Sequence, residues 1–346
     1  MNTPIEVVEV KDVIVHPNAD NLEIVKILNT QFIANKGNFV KGDSCIYFPP
    51  EVMIPEDISS SLGVTNYLKE GIIEGKKCNC RVSAVRLRGI ASFGFGVVNH
   101  NNDAIGTDLT TYYRAEKWQP PEHLINDKKL LRQPEAFHRY TDISHYYRYP
   151  NVFGNNIFVR VTEKIHGTNS RVGLIKDNSW EFMVGTHNHR VGNTDSFYYK
   201  PLTQSMKDML SRISLDYHSA NVIVFGEIFG NKIQNMDYGV TNSHRVFDIS
   251  VNGDYLDWVD INHYCNAFNI QTVPLLYIGT FDSEIIESLV SGPTTILGDN
   301  DIKSPFKGRE GIVITPLQET YSPIVGGRLI LKYVNPDYHI YQNRKQ

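Results

Sequence analysis

Ile157-Phe158-Val159-Arg160-Val161 runs into Thr162-Glu163-Lys164-Ile165-His166-Gly167-Thr168-Asn169, and the fold turns on this stretch. Its first half is apolar and β-branched, so it reads as a buried strand. A lysine stands where that strand ends, and a glycine follows three residues later. A lysine near a glycine means little alone. Four later segments repeat the pattern of a polar residue at the end of, or inside, an apolar run. They are Val224-Phe225-Gly226-Glu227-Ile228-Phe229-Gly230, Arg245-Val246-Phe247-Asp248-Ile249, Glu310-Gly311-Ile312-Val313-Ile314 and Leu331-Lys332-Tyr333-Val334-Asn335. Together they describe several strands that point polar side chains into one cleft.

Around these segments, strands dominate from Val152 onward, with helical stretches between them. Gln204 to Tyr217 carries Met206, Leu210, Ile213 and Leu215 among polar residues and predicts an amphipathic helix. Shorter helices are expected over Ile261–Phe268 and Ser283–Leu289. Upstream, as far as about Trp118, short strands (Ile5–Val10, Leu22–Ile27, Ser44–Phe48, Cys80–Val85) alternate with turns and suggest a small barrel. Residues 119–150 read as a connector. There Phe137-His138-Arg139-Tyr140 and His145-Tyr146-Tyr147-Arg148-Tyr149 interleave rings with cations. Such a mix suits either stacking on bases or packing the domains together. The expected organisation is a barrel over 1–118, the connector, and a catalytic domain over 151–346.

A length of 346 residues agrees with two domains. The net charge of -4 argues against coating nucleic acid by charge alone, while leaving room for a local basic groove. No apolar run is long enough to span a membrane, and Met1–Val10 has no signal-peptide pattern, so an intracellular, cytoplasmic protein is expected. Four cysteines do not build a disulfide framework. Cys78 and Cys80 have no second pair at zinc-site spacing, and strand alternation accounts for them better than a metal.

Two resemblances sharpen this. The run His16-Pro17-Asn18-Ala19-Asp20-Asn21-Leu22-Glu23 resembles a signature of tRNA-binding OB-fold domains on aminoacyl-tRNA synthetases. Pro17, Asn18 and Asp20 are turn formers, and OB barrels commonly present a face to RNA. The five segments, over roughly 155–338, resemble the covalent nucleotidyltransferases: DNA ligases, capping enzymes and RNA ligases. Histidine at 166, where DNA ligases usually carry aspartate, makes the pattern similar to the RNA ligase 2 branch. The implied fold class is α+β, an N-terminal OB-like β-barrel followed by an antiparallel-sheet nucleotidyltransferase (ATP-grasp-like ligase) domain. Lys332 lies 14 residues before Gln346 (346 − 332), so no OB fold is expected after the last motif. A leading barrel resembles the Deinococcus- and Naegleria-type RNA ligases.

The resemblance implies that Lys164 takes AMP from ATP. The RNA substrate would carry 3'-OH and 5'-phosphate ends, at nicks in a duplex, and the enzyme would act as a monomer. An ordinary lysine, with pKa ~10.4, is neutral in roughly 1 molecule of 2,500 at pH 7, a handicap of about 4.6 kcal/mol for a nucleophile. A divalent cation, Mg2+ or Mn2+, would help by depressing that pKa. Glu227 and Glu310 are the implied metal-side carboxylates, and Glu227 is also a candidate for the ribose. Phe247 matches a ring stacked on adenine, and Lys332 a contact to the α-phosphate. Glu163, Gly167, Asn169 and, more loosely, Arg190 complete the implied nucleotide site, and His166 would orient phosphate during transfer. One departure stands out. The branch usually has two lysines in its last motif, whereas Val334 follows Lys332 here, and Lys303, Lys307 and Arg309 are the nearest other basic residues. A DNA ligase, a capping-type enzyme and a non-catalytic RNA-binding protein are the rival readings.

Overall fold

The computed structural model describes residues 4–118, 131–154, 156–230, 233–234, 236, 238–296 and 306–344. The chain divides into two compact units. The first contains residues 1–122, 144–150 and 336–346, and the second contains 123–143 and 151–335.

In the first unit, the first half of strand β1 (Glu6–Val15) finds apolar cover on both faces, whereas Lys11–Val15 is largely exposed and continues the strand by pairing with its neighbour. Val7 packs with Ile5, Ile46 and Phe48, while Val8 and Val10 face Val25, Phe32 and Cys45. It pairs with β4 (Ser44–Phe48) through Glu6–Glu9 and with β2 (Leu22–Ile27) from Val10 onward, with an irregularity between Val10 and Asp12. Such bulges bend a strand, which lets one strand serve both ends of a curved sheet. With β3 (Thr30–Asn35) and β10 (Phe95–Val98) the order is β10-β4-β1-β2-β3. A second sheet, β11-β5-β7-β6, uses β5 (Val52–Met53), β6 (Lys69–Ile73), β7 (Lys76–Arg81) and β11 (Glu116–Lys117). A separate hairpin is formed by β8 (Ala84–Leu87) and β9 (Ile90–Phe93).

The strand expected over Cys80–Val85 is broken. Val82 turns its amide to Val52 and its carbonyl to Glu51, so the chain leaves β7 before β8 begins. Cys78 and Cys80, two residues apart on β7, lie with Met53 and Ile73 in one apolar cluster, and no metal-holding group of three or more His, Cys, Asp or Glu occurs among the described residues.

Several rings of the connector pack into the folded units. Tyr147 packs on the Val8–Phe32 cluster, and its neighbour Arg148 pairs with Glu6 at 2.9 Å. Phe137 and Tyr140 are buried beside Ile223 and Phe225 in the second unit. Each of these four residues is thus tied into its own unit. Burying a ring of this size is worth a few kcal/mol, more than an exposed ring could contribute. Arg171 fixes the same segment: its buried guanidinium donates to the carbonyls of Thr186, Phe137 and His138 at 2.7–2.9 Å.

The second unit is built on two antiparallel sheets. One has the order β23-β20-β13-β19, from β13 (Phe158–Lys164), β19 (Leu275–Thr280), β20 (Gly311–Pro316) and β23 (Leu331–Val334). The other runs β15-β14-β16-β17-β18, from β14 (Thr168–Lys176), β15 (Trp180–Gly185), β16 (Val222–Phe229), β17 (Ser243–Val251) and β18 (Asp254–Tyr255). The predicted amphipathic helix spans Gln204–Asp216, capped by Thr203, whose hydroxyl accepts from the Met206 amide. With the helix Trp258–Ala267, which starts three residues earlier than expected, it covers Val172, Val222, Val224 and Ile249 of the second sheet. The third predicted helix spans Ser283–Leu289. No helix among the described residues is long and apolar enough to cross a membrane.

Candidate active site

Lys164 is the last residue of β13, opposite Gly311 of β20, which in turn faces Val334 of β23. Two rows back, Thr162, Val313 and Lys332 are aligned the same way. Opposed residues of an antiparallel sheet share a face, and alternate residues repeat it. Lys164, Lys332 and Val334 therefore lie on one face of the first sheet. Val334, standing where the related pattern has its second lysine, is buried.

Beyond Lys164 the chain crosses to the second sheet through Ile165-His166-Gly167. Gly167 is needed for the crossing. A Cβ there would lie 2.2 Å from the Ile228 carbonyl oxygen and 3.0 Å from Cγ of Glu227. In β14, Asn169 opposes Glu227 of β16, and Glu227 opposes Arg245 of β17. These three form a polar row whose edge begins at Gly167.

Glu310, just before β20, joins the two halves of the motif. Its Oε1 accepts from Lys164 Nζ at 2.7 Å, and its Oε2 lies 3.7 Å from His166 Nδ1. Asn335 steadies this segment by donating its amide N–H to the Glu310 carbonyl at 2.8 Å and its side chain to the Arg309 carbonyl at 3.1 Å. Burial pushes the Glu310 carboxyl up, but Lys164 and His166 outweigh it and hold it at about 2. For Glu227 burial wins. Lys164 and the Gly167 N–H pull its pKa down, Glu310 pushes it up, and the result is about 8. Two neighbouring carboxyls thus differ in their hold on a proton, an arrangement that lets one act as an anion while the other donates a hydrogen bond. Glu310 Oε2 and Asn169 Oδ1 are buried without a hydrogen-bond partner among the described residues. Buried oxygens of this kind cost free energy unless a ligand completes them.

The remaining expected residues have partners of their own. Glu163 faces away from Lys164, as its neighbour in a strand must. Its buried carboxylate accepts from the hydroxyls of Thr294 and Thr295 and the Thr295 amide, so it ties down the segment around 294. Arg190 pairs with Glu181 and donates to the Arg132 carbonyl at 3.4 Å, and none of these bonds reaches the Lys164 cluster. Phe247 occupies the irregularity of β17, where Phe225 opposes Asp248 and Gly226 opposes Val246. Bulges re-aim side chains in this way, and here the Tyr140 ring meets Phe247 at 4.8 Å. Of the alternative cations, Arg309 is buried and donates to the Leu289 and Pro293 carbonyls, Lys307 is exposed, and Lys303 lies outside the described residues.

Two contributors had no clear signal in the sequence. Tyr238, fully buried against Phe229, accepts the His166 amide N–H at 2.7 Å and so holds the crossing in place. Asp248 looks like a cleft carboxylate but is structural. It accepts from Tyr140 at 2.7 Å and Arg328 at 2.9 Å and lies 3.6 Å from Arg160.

A family model described as RNA ligase matches residues 157–334, and a model of an OB-fold domain matches residues 5–98. Among solved structures, the chain is similar to Naegleria gruberi RNA ligase. An apo mutant matches at a TM-score of 0.79 and 20% identity over 99% of each chain. A structure with PPi matches at 0.77 and 20%, again over 99% of each chain. A mutant with AMP and Mn gives 0.78 and 20% over 100% of each chain. At this identity the likeness shows a shared fold. No curated protein matches the chain.

Proposed function

The chain belongs to the RNA ligase family, and on that premise we propose that it uses ATP to join a 3'-OH to a 5'-phosphate end of RNA, at nicks in a duplex. The observation that carries the reading is Lys164 at the end of β13, 2.7 Å from a carboxylate whose second oxygen is buried and has no hydrogen-bond partner among the described residues.

In the proposed first step the Lys164 amine attacks the α-phosphorus of ATP. A P–N bond forms, the bond to the bridging oxygen breaks, and pyrophosphate leaves. AMP then passes to the 5'-phosphate of RNA, which frees Lys164. Finally the 3'-OH attacks the activated phosphorus, loses its proton and expels AMP. The chain's own part is positioning and charge neutralisation. Lys332, on the face of Lys164, suits the α-phosphate, and Phe247 at its bulge suits the adenine. His166, its amide fixed by Tyr238, is placed to orient phosphate.

The oxygen donors fit a hard cation such as Mg2+ or Mn2+, and two carboxylates without a closed cage fit an ion that keeps waters and substrate phosphates. The ionised Glu310 would hold it, and Glu227, with its high proton affinity, better suits a ribose hydroxyl. Bound there, the ion would offset the Glu310 charge that now favours the ammonium form of Lys164.

The test is incubation with labelled ATP and Mg2+ or Mn2+, followed by mapping of the adduct. The expected label is acid-labile AMP on Lys164, absent from Lys164→Ala. A Lys164→Ala protein that still acquires AMP sinks the mechanism, and labelling by GTP alone makes the protein a capping-type enzyme. Sealing of nicked duplex RNA is compared with sealing of single strands; equal rates remove the duplex preference.

A further inference from the structure

The ligase chemistry leaves unexplained the run His16-Pro17-Asn18-Ala19-Asp20 and the hairpin it grips. Between β8 and β9 the chain turns through two residues, Arg88 and Gly89, since Leu87 opposes Ile90. Both have positive φ, 46° and 91°. This is the hairpin turn for which Asn-Gly is the favoured pair, because a bulky first residue strains in the left-handed region. The chain does use Asn252-Gly253, at φ 53° and 100°, between β17 and β18. Arginine at position 88 therefore needs a reason.

The surroundings hold that strained turn rigidly. His16, buried, donates from Nε2 to the Leu87 carbonyl at 3.1 Å and accepts the Asn18 amide N–H on Nδ1, also at 3.1 Å. Asn18 donates from Nδ2 to the Arg88 carbonyl at 3.0 Å. Arg86 donates to the Gly89 carbonyl at 2.9 Å and is itself braced by Asp337. Three successive carbonyls are thus occupied. The Arg88 side chain is exposed, and no hydrogen bond or ion pair within the described residues holds it. Compare the hairpin between β6 and β7. Its Glu74, at φ 50° before Gly75, pairs with Arg114 at 3.1 Å, so that side chain serves the fold. Arg88 has no such task among the described residues.

We infer that Arg88 is a pre-positioned contact to the phosphate backbone of the RNA, and that His16 and Asn18 are its positioning residues. A guanidinium is matched to phosphate by charge and by its planar fork of donors. A backbone already locked in place loses little freedom on binding. The inference rests on the RNA ligase reading, which brings a polyanion to a chain of net charge -4.

The test measures binding of the full-length protein to nicked duplex RNA by fluorescence anisotropy across a NaCl series, without ATP, alongside thermal melting. Arg88→Asn places the favoured residue in the turn, so Tm should rise while affinity falls ~3–10-fold and the salt slope decreases by about one. Arg88→Lys should keep the slope. Asn18→Ala should keep the slope yet weaken binding, because the charge stays while its placement loosens. Unchanged affinity and slope in Arg88→Asn overturn the contact, and wild-type affinity in Asn18→Ala overturns the positioning role. Labelling of Lys164 with ATP is followed in parallel. Normal labelling with no binding defect removes this inference alone, whereas absent labelling in the wild type removes the ligase reading.

Discussion

Replacing Gly167 by alanine tests whether the crossing between the two sheets sets the geometry of the site. The added Cβ would sit 2.2 Å from the Ile228 carbonyl oxygen, which belongs to the backbone of β16 and cannot rotate away. Relief to ordinary contact needs a shift of more than about 1 Å. The Glu227 side chain, 3.0 Å away, closes the other direction of escape. Overpacking of this kind costs about 1–3 kcal/mol, so Tm should fall by several degrees without loss of the fold. The functional cost should be larger. Lys164 and His166 are three residues and one residue before Gly167, and a misplacement near 1 Å lowers rates by roughly 100-fold. Single-turnover labelling with ATP at saturating Mg2+ measures that rate directly. Gly327→Ala is the control, since a Cβ there meets nothing within 4 Å. If Gly167→Ala acquires AMP at the wild-type rate with Tm unchanged, the crossing does not set the site's geometry and the reasoning fails.

Asp248→Asn should cost stability rather than chemistry. It leaves Arg160 buried beside an uncharged amide, and breaking a buried pair in this way costs about 3–5 kcal/mol, readable as a lower urea midpoint; a change below about 0.5 kcal/mol would falsify the structural role. The third prediction concerns pH. Burial, assisted by Arg245, holds His244 at about 3, so the folded protein keeps it neutral where the unfolded chain, near 6.5, takes up a proton. Its contribution is complete above pH 6.5 and is lost progressively as the pH falls from 6.5 towards 3. Between pH 7.5 and 5 the wild type should lose about 2 kcal/mol more than His244→Gln in urea unfolding. Parallel losses in the two proteins would show that His244 is protonated in the folded state.

What could be read from sequence follows from the range of the forces involved. The strands that carry or adjoin Lys164, Glu227, Glu310 and Lys332 were legible because continuous apolar, β-branched runs mark buried strands locally, with side chains alternating between faces at period two. Glu310 meeting Lys164 at 2.7 Å, 146 residues away, was legible only through the order of the five segments. The same periodicity also places Glu163 on the opposite face, so strand alternation along β13 is by itself enough to separate it from the cleft. Other features depend on partners with no fixed offset. The burial of Phe137 and Tyr140 needs Arg171 to satisfy the carbonyls of their segment, and the role of Asp248 needs two arginines from distant strands. Tyr238 reads as one more aromatic among 19 tyrosines until its hydroxyl is seen to hold the His166 amide.

Val334 shows what the two kinds of information give together. Sequence says only that a second lysine is missing. The register says more: position 334 is aligned with Lys164 through Gly311, and Gly311 is itself obligatory, since a Cβ would lie 2.2 Å from the Tyr333 carbonyl oxygen. A lysine at 334 would therefore share a face with Lys164 and Lys332, and three ammonium groups there would favour the neutral amine of Lys164 by repulsion. With valine instead, one of those charges is absent and the Lys164–Glu310 pair is opposed by less positive charge. In the proposed reaction, the burden of making Lys164 neutral then shifts towards a cation bound at Glu310. On this geometry the missing lysine and the unpartnered carboxylate oxygen point the same way: with the proposed divalent ion at Glu310, lysine adenylylation should depend on that ion more than in a site with two lysines.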